Sequence, residues 1–142
     1  MRVFKTVKEI HDERERQRGN KIIYTLLGVM IGELDRLPTR SEPTEDQIYT
    51  IVYRMYNNAL EMRTHSEDSI IESLYLQDFI KKQLTEAELV EIIMQYKEDG
   101  LKNIGDYMRS LNEEYKGRFD GKKASAIIKQ LMYVILIVII LF

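Results

Sequence analysis

At Thr6/Glu9, Thr44/Gln47 and Thr85/Glu88 a threonine at the head of an apolar-periodic run is followed three residues later by a glutamate or glutamine. In such a capping box the hydroxyl accepts from the amide three residues on, and the longer side chain reaches back to the threonine amide. Starting a helix is costly, because several residues are fixed before the first bond forms. Three marked starts therefore constrain the fold strongly. Apolar residues recur between them at three- and four-residue spacing, with two prolines in all and no hairpin turn signal. The predicted class is all-α.

Taken in order, the Thr6 helix runs to a stop near Gly19, and its alternating charges predict a solvated face with i,i+4 pairs. His11 beside Asp12 and Glu15 has no second histidine in its segment, so it reads as a surface residue rather than a metal ligand. From Asn20, the residues Ile22, Ile23, Leu26, Leu27, Met30, Ile31 and Leu34 form one buried face. Gly28 and Gly32, four apart, suggest close packing on a neighbouring helix. After a Pro38–Pro43 linker, the Thr44 helix carries Ile48, Ile51, Val52, Met55, Ala59 and Met62 inward, and Tyr49, Tyr53 and Tyr56 as core or rim residues rather than base-stacking ones. His65 falls in a polar turn, and Ile70, Ile71, Leu74, Phe79 and Ile80 are expected inward on the next helix. Residues 1–82 thus read as an antiparallel N-terminal helical bundle.

Residues 83–132 read as a small three-helix unit. Leu89, Val90, Ile93 and Tyr96 form the first stripe, and Gly100 ends that helix. Asn103 caps the second, with Gly105 permitting close backbone approach and Met108 and Leu111 facing inward. Ala124, Ile127, Ile128 and Leu131 face inward on the third. Between the last two helices lies Glu114-Tyr115-Lys116-Gly117-Arg118-Phe119-Asp120-Gly121-Lys122. Gly117 can take positive φ at a helix end, and Asp120 is placed as the N-cap of the final helix. The segment is a tight basic corner, with Lys116, Arg118, Lys122 and Lys123 within eight residues and Lys102, Arg109 and Lys129 on the flanking elements. Cations beside helix-start amides are a phosphate-binding arrangement.

Lys82-Gln83-Leu84-Thr85, then Ile104-Gly105 with Met108, then Tyr115 to Lys122, resemble the GatB/YqeY family: the tail of the B subunit of tRNA-dependent amidotransferases, and free-standing YqeY-like proteins. Lys81 stands where that family usually has proline, and past about Met132 the likeness ends. The resemblance implies a helical N-terminal domain, a three-helix C-terminal one and contact with tRNA through the corner. It implies no catalysis here, because the amidotransferase's reaction sites belong to other domains and subunits.

The residues agree on that point. There is no Gly-x-x-x-x-Gly-Lys-Ser/Thr loop, no Gly-x-Ser-x-Gly elbow and no histidine pair, so neither enzyme activity nor a cofactor or metal is expected. The absence of cysteine removes thiolate chemistry and, with no apolar signal core near Met1, fits a cytoplasmic protein. A net charge of −2 means that any RNA binding rests on local charge, at Lys116, Gly117, Arg118, Lys122 and Lys123 with Lys102 and Arg109 in support.

The last stretch, residues 133–142, lies outside the family pattern. Leu131 to Phe142 is an unbroken apolar run that fits helix or strand. As a helix it would rise about 18 Å, short of a hydrocarbon core of roughly 30 Å. Burial by a protein partner or a second copy is expected ahead of a membrane. That gives the alternative function, an assembly module built on Leu131–Phe142.

Overall fold

The computed structural model describes residues 2–141. Their regular structure is helical throughout: α1 (Val7–Arg16), α2 (Lys21–Asp35), α3 (Glu45–Met62), α4 (Glu67–Gln77), α5 (Glu86–Glu98), α6 (Ile104–Tyr115) and α7 (Gly121–Leu141). The chain divides into two compact units, Met1–Lys81 and Lys82–Phe142.

In the first unit every helix opens on a side-chain cap. Thr44 and Gln47 satisfy each other's amides at 3.2 and 2.9 Å, while Asn20 and Ser66 cap α2 and α4. Thr6 accepts from the Glu9 amide, yet the Glu9 carboxylate reaches the amide of Lys5 rather than that of Thr6, so this box is displaced by one residue. The core joins Ile10 of α1 to Ile23, Leu27 and Met30 of α2, Ile48 and Val52 of α3 and Leu76 of α4. The segment before α1 completes it: Phe4 stacks on Phe79 at 4.2 Å.

Three expectations for this unit are corrected. Ile70, Ile71 and Leu74 of α4 are exposed, at 43, 40 and 63 %. The helix instead buries Ser73 and Leu76, with Phe79 and Ile80 buried just past its end and the Ser73 hydroxyl donating to the Ile70 carbonyl. Leu76, Phe79 and Ile80 fix which stripe faces the core, and the rival apolar stripe turns outward. Met62 at the end of α3 is likewise half exposed. Nor is α1 a purely solvated face. Glu13 is 2 % exposed and accepts from Tyr75 at 2.8 Å, Arg16 at 2.8 Å, Gln17 at 3.0 Å and Arg2 at 3.0 Å. Burial alone would raise its carboxyl, but these donors and the Arg2 charge outweigh burial and hold it at about 2.

Close packing on a neighbouring helix explains Gly28, which faces Arg14 of α1, but not Gly32. A Cβ on Gly28 would lie 2.7 Å from Nη2 of Arg14, whose guanidinium covers the Tyr24 ring at 4.0 Å and donates to the Tyr24 carbonyl. Gly32 faces open space.

The second unit packs α5, α6 and α7 around Leu89, Ile93, Tyr96, Tyr107, Leu111, Phe119, Ala124 and Ile128. Val90 is exposed, contrary to expectation, and Tyr107, 2 % exposed, joins Leu111 as the inward residue of α6, with Met108 only partly buried. Tyr107 meets Tyr96 edge-on at 6.4 Å, and the Tyr96 hydroxyl donates to Glu114. Thr85 and Glu88 make a full capping box. Asn103 caps α6, and the nearest atom to a Cβ on Gly105 would be its Oδ1, so no foreign backbone approaches there. The apolar run beyond Leu131 continues α7 without a break as far as Leu141; Phe142 lies outside the described residues.

Candidate nucleic-acid interface

Tyr115 ends α6 and Lys116 leaves the helical region at φ −51°, ψ 127°. Gly117 follows at φ 76°, a left-handed conformation that costs any residue bearing a Cβ about 1–2 kcal/mol. The Arg118 amide then bonds back to the Tyr115 carbonyl at 3.0 Å, closing the turn. Phe119 drops into the core and leaves Asp120 at the start of α7. Asp120 Oδ1 accepts from the Lys122 amide at 2.8 Å and the Lys123 amide at 3.4 Å. The helix-start amides thus already hold an anion from the chain itself. The Lys122 and Lys123 amides are thereby taken up by Asp120, which leaves the cationic side chains as the groups this corner presents outward.

The corner is braced from the beginning of the unit. Arg118 Nε donates to the Lys82 carbonyl at 2.9 Å, the Leu84 amide donates to the Arg118 carbonyl at 2.7 Å, and the Gln83 carboxamide donates to the Gly117 carbonyl at 2.8 Å. Lys82-Gln83-Leu84 therefore lies along the corner as a second strand of chain. Hydrogen bonds from the Thr85 backbone and side chain hold the Glu88 carboxyl below the usual range, burial opposes them, and the Lys82 and Arg118 charges add to the lowering. Lys82 thus belongs to the cationic group, although charge clustering along the sequence did not mark it. The signal available was its place in the Lys82-Gln83-Leu84-Thr85 motif.

Lys116, Lys122 and Lys123 are exposed at this corner, and Arg118 is half-buried between the Lys82 carbonyl and the Tyr115 ring, 5.7 Å from its guanidinium. Lys102 is not brought there. It precedes α6 and Lys116 follows it, and a 12-residue helix separates its ends by about 18 Å. Arg109 sits midway on α6, 3.4 Å from Asp106. The cationic cluster at the corner is therefore narrower than the sequence grouping at one end, and it includes Lys82 at the other.

The first unit carries a groove between α2, α3 and α4, with Val29 and Met62 on its rim and the carboxylates of Glu33, Asp68 and Glu72 along it. Burial pushes the Glu72 carboxyl up, and the neighbouring Asp68 charge adds to the effect. Glu33 is ion-paired with Arg54. Among the described residues there is no group of three or more acidic or histidine side chains arranged to hold a metal ion.

No curated protein matches the chain. The profile of the family described as "Yqey-like protein" matches residues 35–132, from the last residue of α2 to the middle of α7, and so includes the corner and its Lys82–Leu84 brace. That match covers more than half of the sequence, and the chain belongs to the YqeY-like protein family.

Proposed function

We propose that this YqeY-like protein is a non-catalytic helical module that contacts structured RNA of the tRNA class at the corner formed by Lys116, Arg118, Lys122 and Lys123, with Lys82 beside it. The observation that carries this reading is a rigidly built turn whose exposed side chains are almost all cationic. Gly117, the Arg118–Lys82 bond and the Asp120 cap fix its shape, so the lysines are presented from a fixed frame. Gln83 at this turn donates its carboxamide to the Gly117 carbonyl, and no cluster of asparagine, glutamine and exposed aromatic side chains accompanies the lysines, which favours phosphate contact and discrimination by RNA shape over base-edge reading.

The test is a tRNA-binding titration at several salt concentrations. With about four cations engaged, log K should fall with log salt at a slope of roughly −3 to −4. Replacing Lys116, Arg118, Lys122 and Lys123 together by alanine should flatten the slope and weaken all RNAs alike. Absence of tRNA binding by the wild type at low salt would end the RNA reading and leave the protein as an assembly module.

A further inference from the structure

We propose that α7 beyond Gln130 inserts into a lipid bilayer bearing anionic headgroups, with Lys122, Lys123 and Lys129 at the headgroup level. The insertion itself rests on the part of α7 beyond the family match at residue 132, whereas Lys122 and Lys123 are shared with the RNA reading.

The first observation is that the segment is helical and apolar on every side. Val134, Ile137 and Leu141 share one face of α7, and Leu136 and Ile139 lie on the opposite one. All five are exposed, Ile139 at 67 % and Leu136 at 55 %. Only 11 % of the most apolar window of this helix is buried, at a mean hydropathy of 2.4, and it is the one helix among the described residues long and apolar enough to cross a membrane. A protein groove or a paired helix covers one face and leaves the other to water, which is why partner-binding helices keep a polar side. This segment has none, and lipid chains surround all faces at once. The helical conformation also satisfies its backbone internally up to the carbonyls of the last turn.

The second observation is charge. No acidic residue occurs between Gly121 and Leu141, whereas Lys122, Lys123 and Lys129 are all exposed. Lys129 and Gln130 immediately precede the apolar run, and Tyr133 lies within its first turn, the depth at which tyrosine settles in a bilayer interface. Lysine stems at such a boundary lie along the apolar region while the ammonium reaches the headgroups. The described residues from Leu131 to Leu141 rise about 16 Å, enough to reach the middle of a hydrocarbon core of roughly 30 Å. The expected attachment places the α5–α7 core, anchored on α7 through Ala124 and Ile128, at the membrane surface.

The experiment is flotation of the full, nuclease-treated chain with phosphatidylcholine vesicles and with vesicles that also contain phosphatidylglycerol. The wild type should float with both and more strongly with the anionic mixture. Ile137→Asp and Ile140→Asp should each lower vesicle partitioning by on the order of 50-fold. Both positions lie outside the core, so helicity by circular dichroism should be kept. Lys122, Lys123 and Lys129 changed together to glutamine should remove the preference for the anionic mixture. Absence of flotation on either vesicle would overturn the proposal, as would flotation that survives both aspartates. A discrete oligomer that stays out of vesicles would overturn it too, assigning the helix to a second copy.

Discussion

Arg118 donates its Nε–H to the main-chain oxygen of Lys82 at 2.9 Å, across a separation of 36 residues. A residue that looks like a phosphate ligand in the sequence is thus also the clasp that holds the first residues of its unit against the corner. Arg118→Lys keeps the charge but loses the fork that reaches this carbonyl. It should cost about 1 kcal/mol in urea unfolding, whereas Lys122→Ala should stay within about 0.5 kcal/mol of wild type. Equal stability of the two variants would show that the clasp contributes nothing.

Lys82 supplies the complementary test. Its charge acts on Glu88 together with that of Arg118. On the RNA reading, Lys82→Ala should reduce the salt slope of tRNA binding by about one unit, while Lys102→Ala, at the far end of α6, should leave it unchanged. The reverse order in a salt titration would place the RNA along α6 rather than at the corner.

Glu13 predicts an acid limb of stability. Its folded carboxyl lies at about 2, below the ordinary 4.5, so the unfolded chain takes up the proton first as pH falls. The contribution is fully present above about pH 4.5 and is lost as pH drops toward 2. It amounts to at most about 3 kcal/mol at neutral pH. Glu13→Gln should lose most of that at pH 7, converge with wild type near pH 2 and flatten the pH dependence between. Chemical unfolding of both chains across that range is the measurement, and parallel curves would contradict the role of the carboxylate.

Asp120 and Gly117 hold the two halves of the corner, and their variants separate cap from turn. Asp120→Ala should cost about 0.5–2 kcal/mol and Asp120→Asn less, because the acceptor oxygen remains. Gly117→Ala, at φ 76°, should cost about 1–2 kcal/mol. Freeing the Lys122 and Lys123 amides in Asp120→Ala should also strengthen phosphate binding at low salt. A weaker tRNA complex would mean that Asp120 orders the lysines more than it blocks the amides.

What the sequence revealed follows the range of the forces involved. Thr44, Thr85 and Asn103 mark helix starts because cap and capped amide are three residues apart, and the 3.6-residue period of Ile23, Leu27, Met30 and Leu34 names a buried face directly. Glu13 escaped notice because its Tyr75 partner is 62 residues away. On α4 two apolar stripes competed, and only the tertiary seat of Leu76, with Phe79 and Ile80 just past the helix, decided between them. The cations of the corner were legible as composition. The occupation of the helix-start amides by Asp120 and the addition of Lys82 depend on how the chain folds back, which spacing does not encode.

Truncation after Met132 tests where the folded unit ends. Leu131 and Met132 still pack against the second core, whereas Val134, Leu136, Ile137 and Val138 to Leu141 are exposed. Removing residues 133–142 should therefore leave the unfolding midpoint within about 0.5 kcal/mol of wild type, while Ile128→Ala, one helical turn before the boundary and fully buried, should cost about 2–5 kcal/mol. Helicity should fall only by the share of the deleted turns. Sedimentation should show the truncated chain monomeric in water where the full chain associates, because the apolar surface exposed on all sides of α7 is gone. A full chain that is monomeric without lipid, together with a truncated chain that loses stability, would mean that the segment packs within the protein.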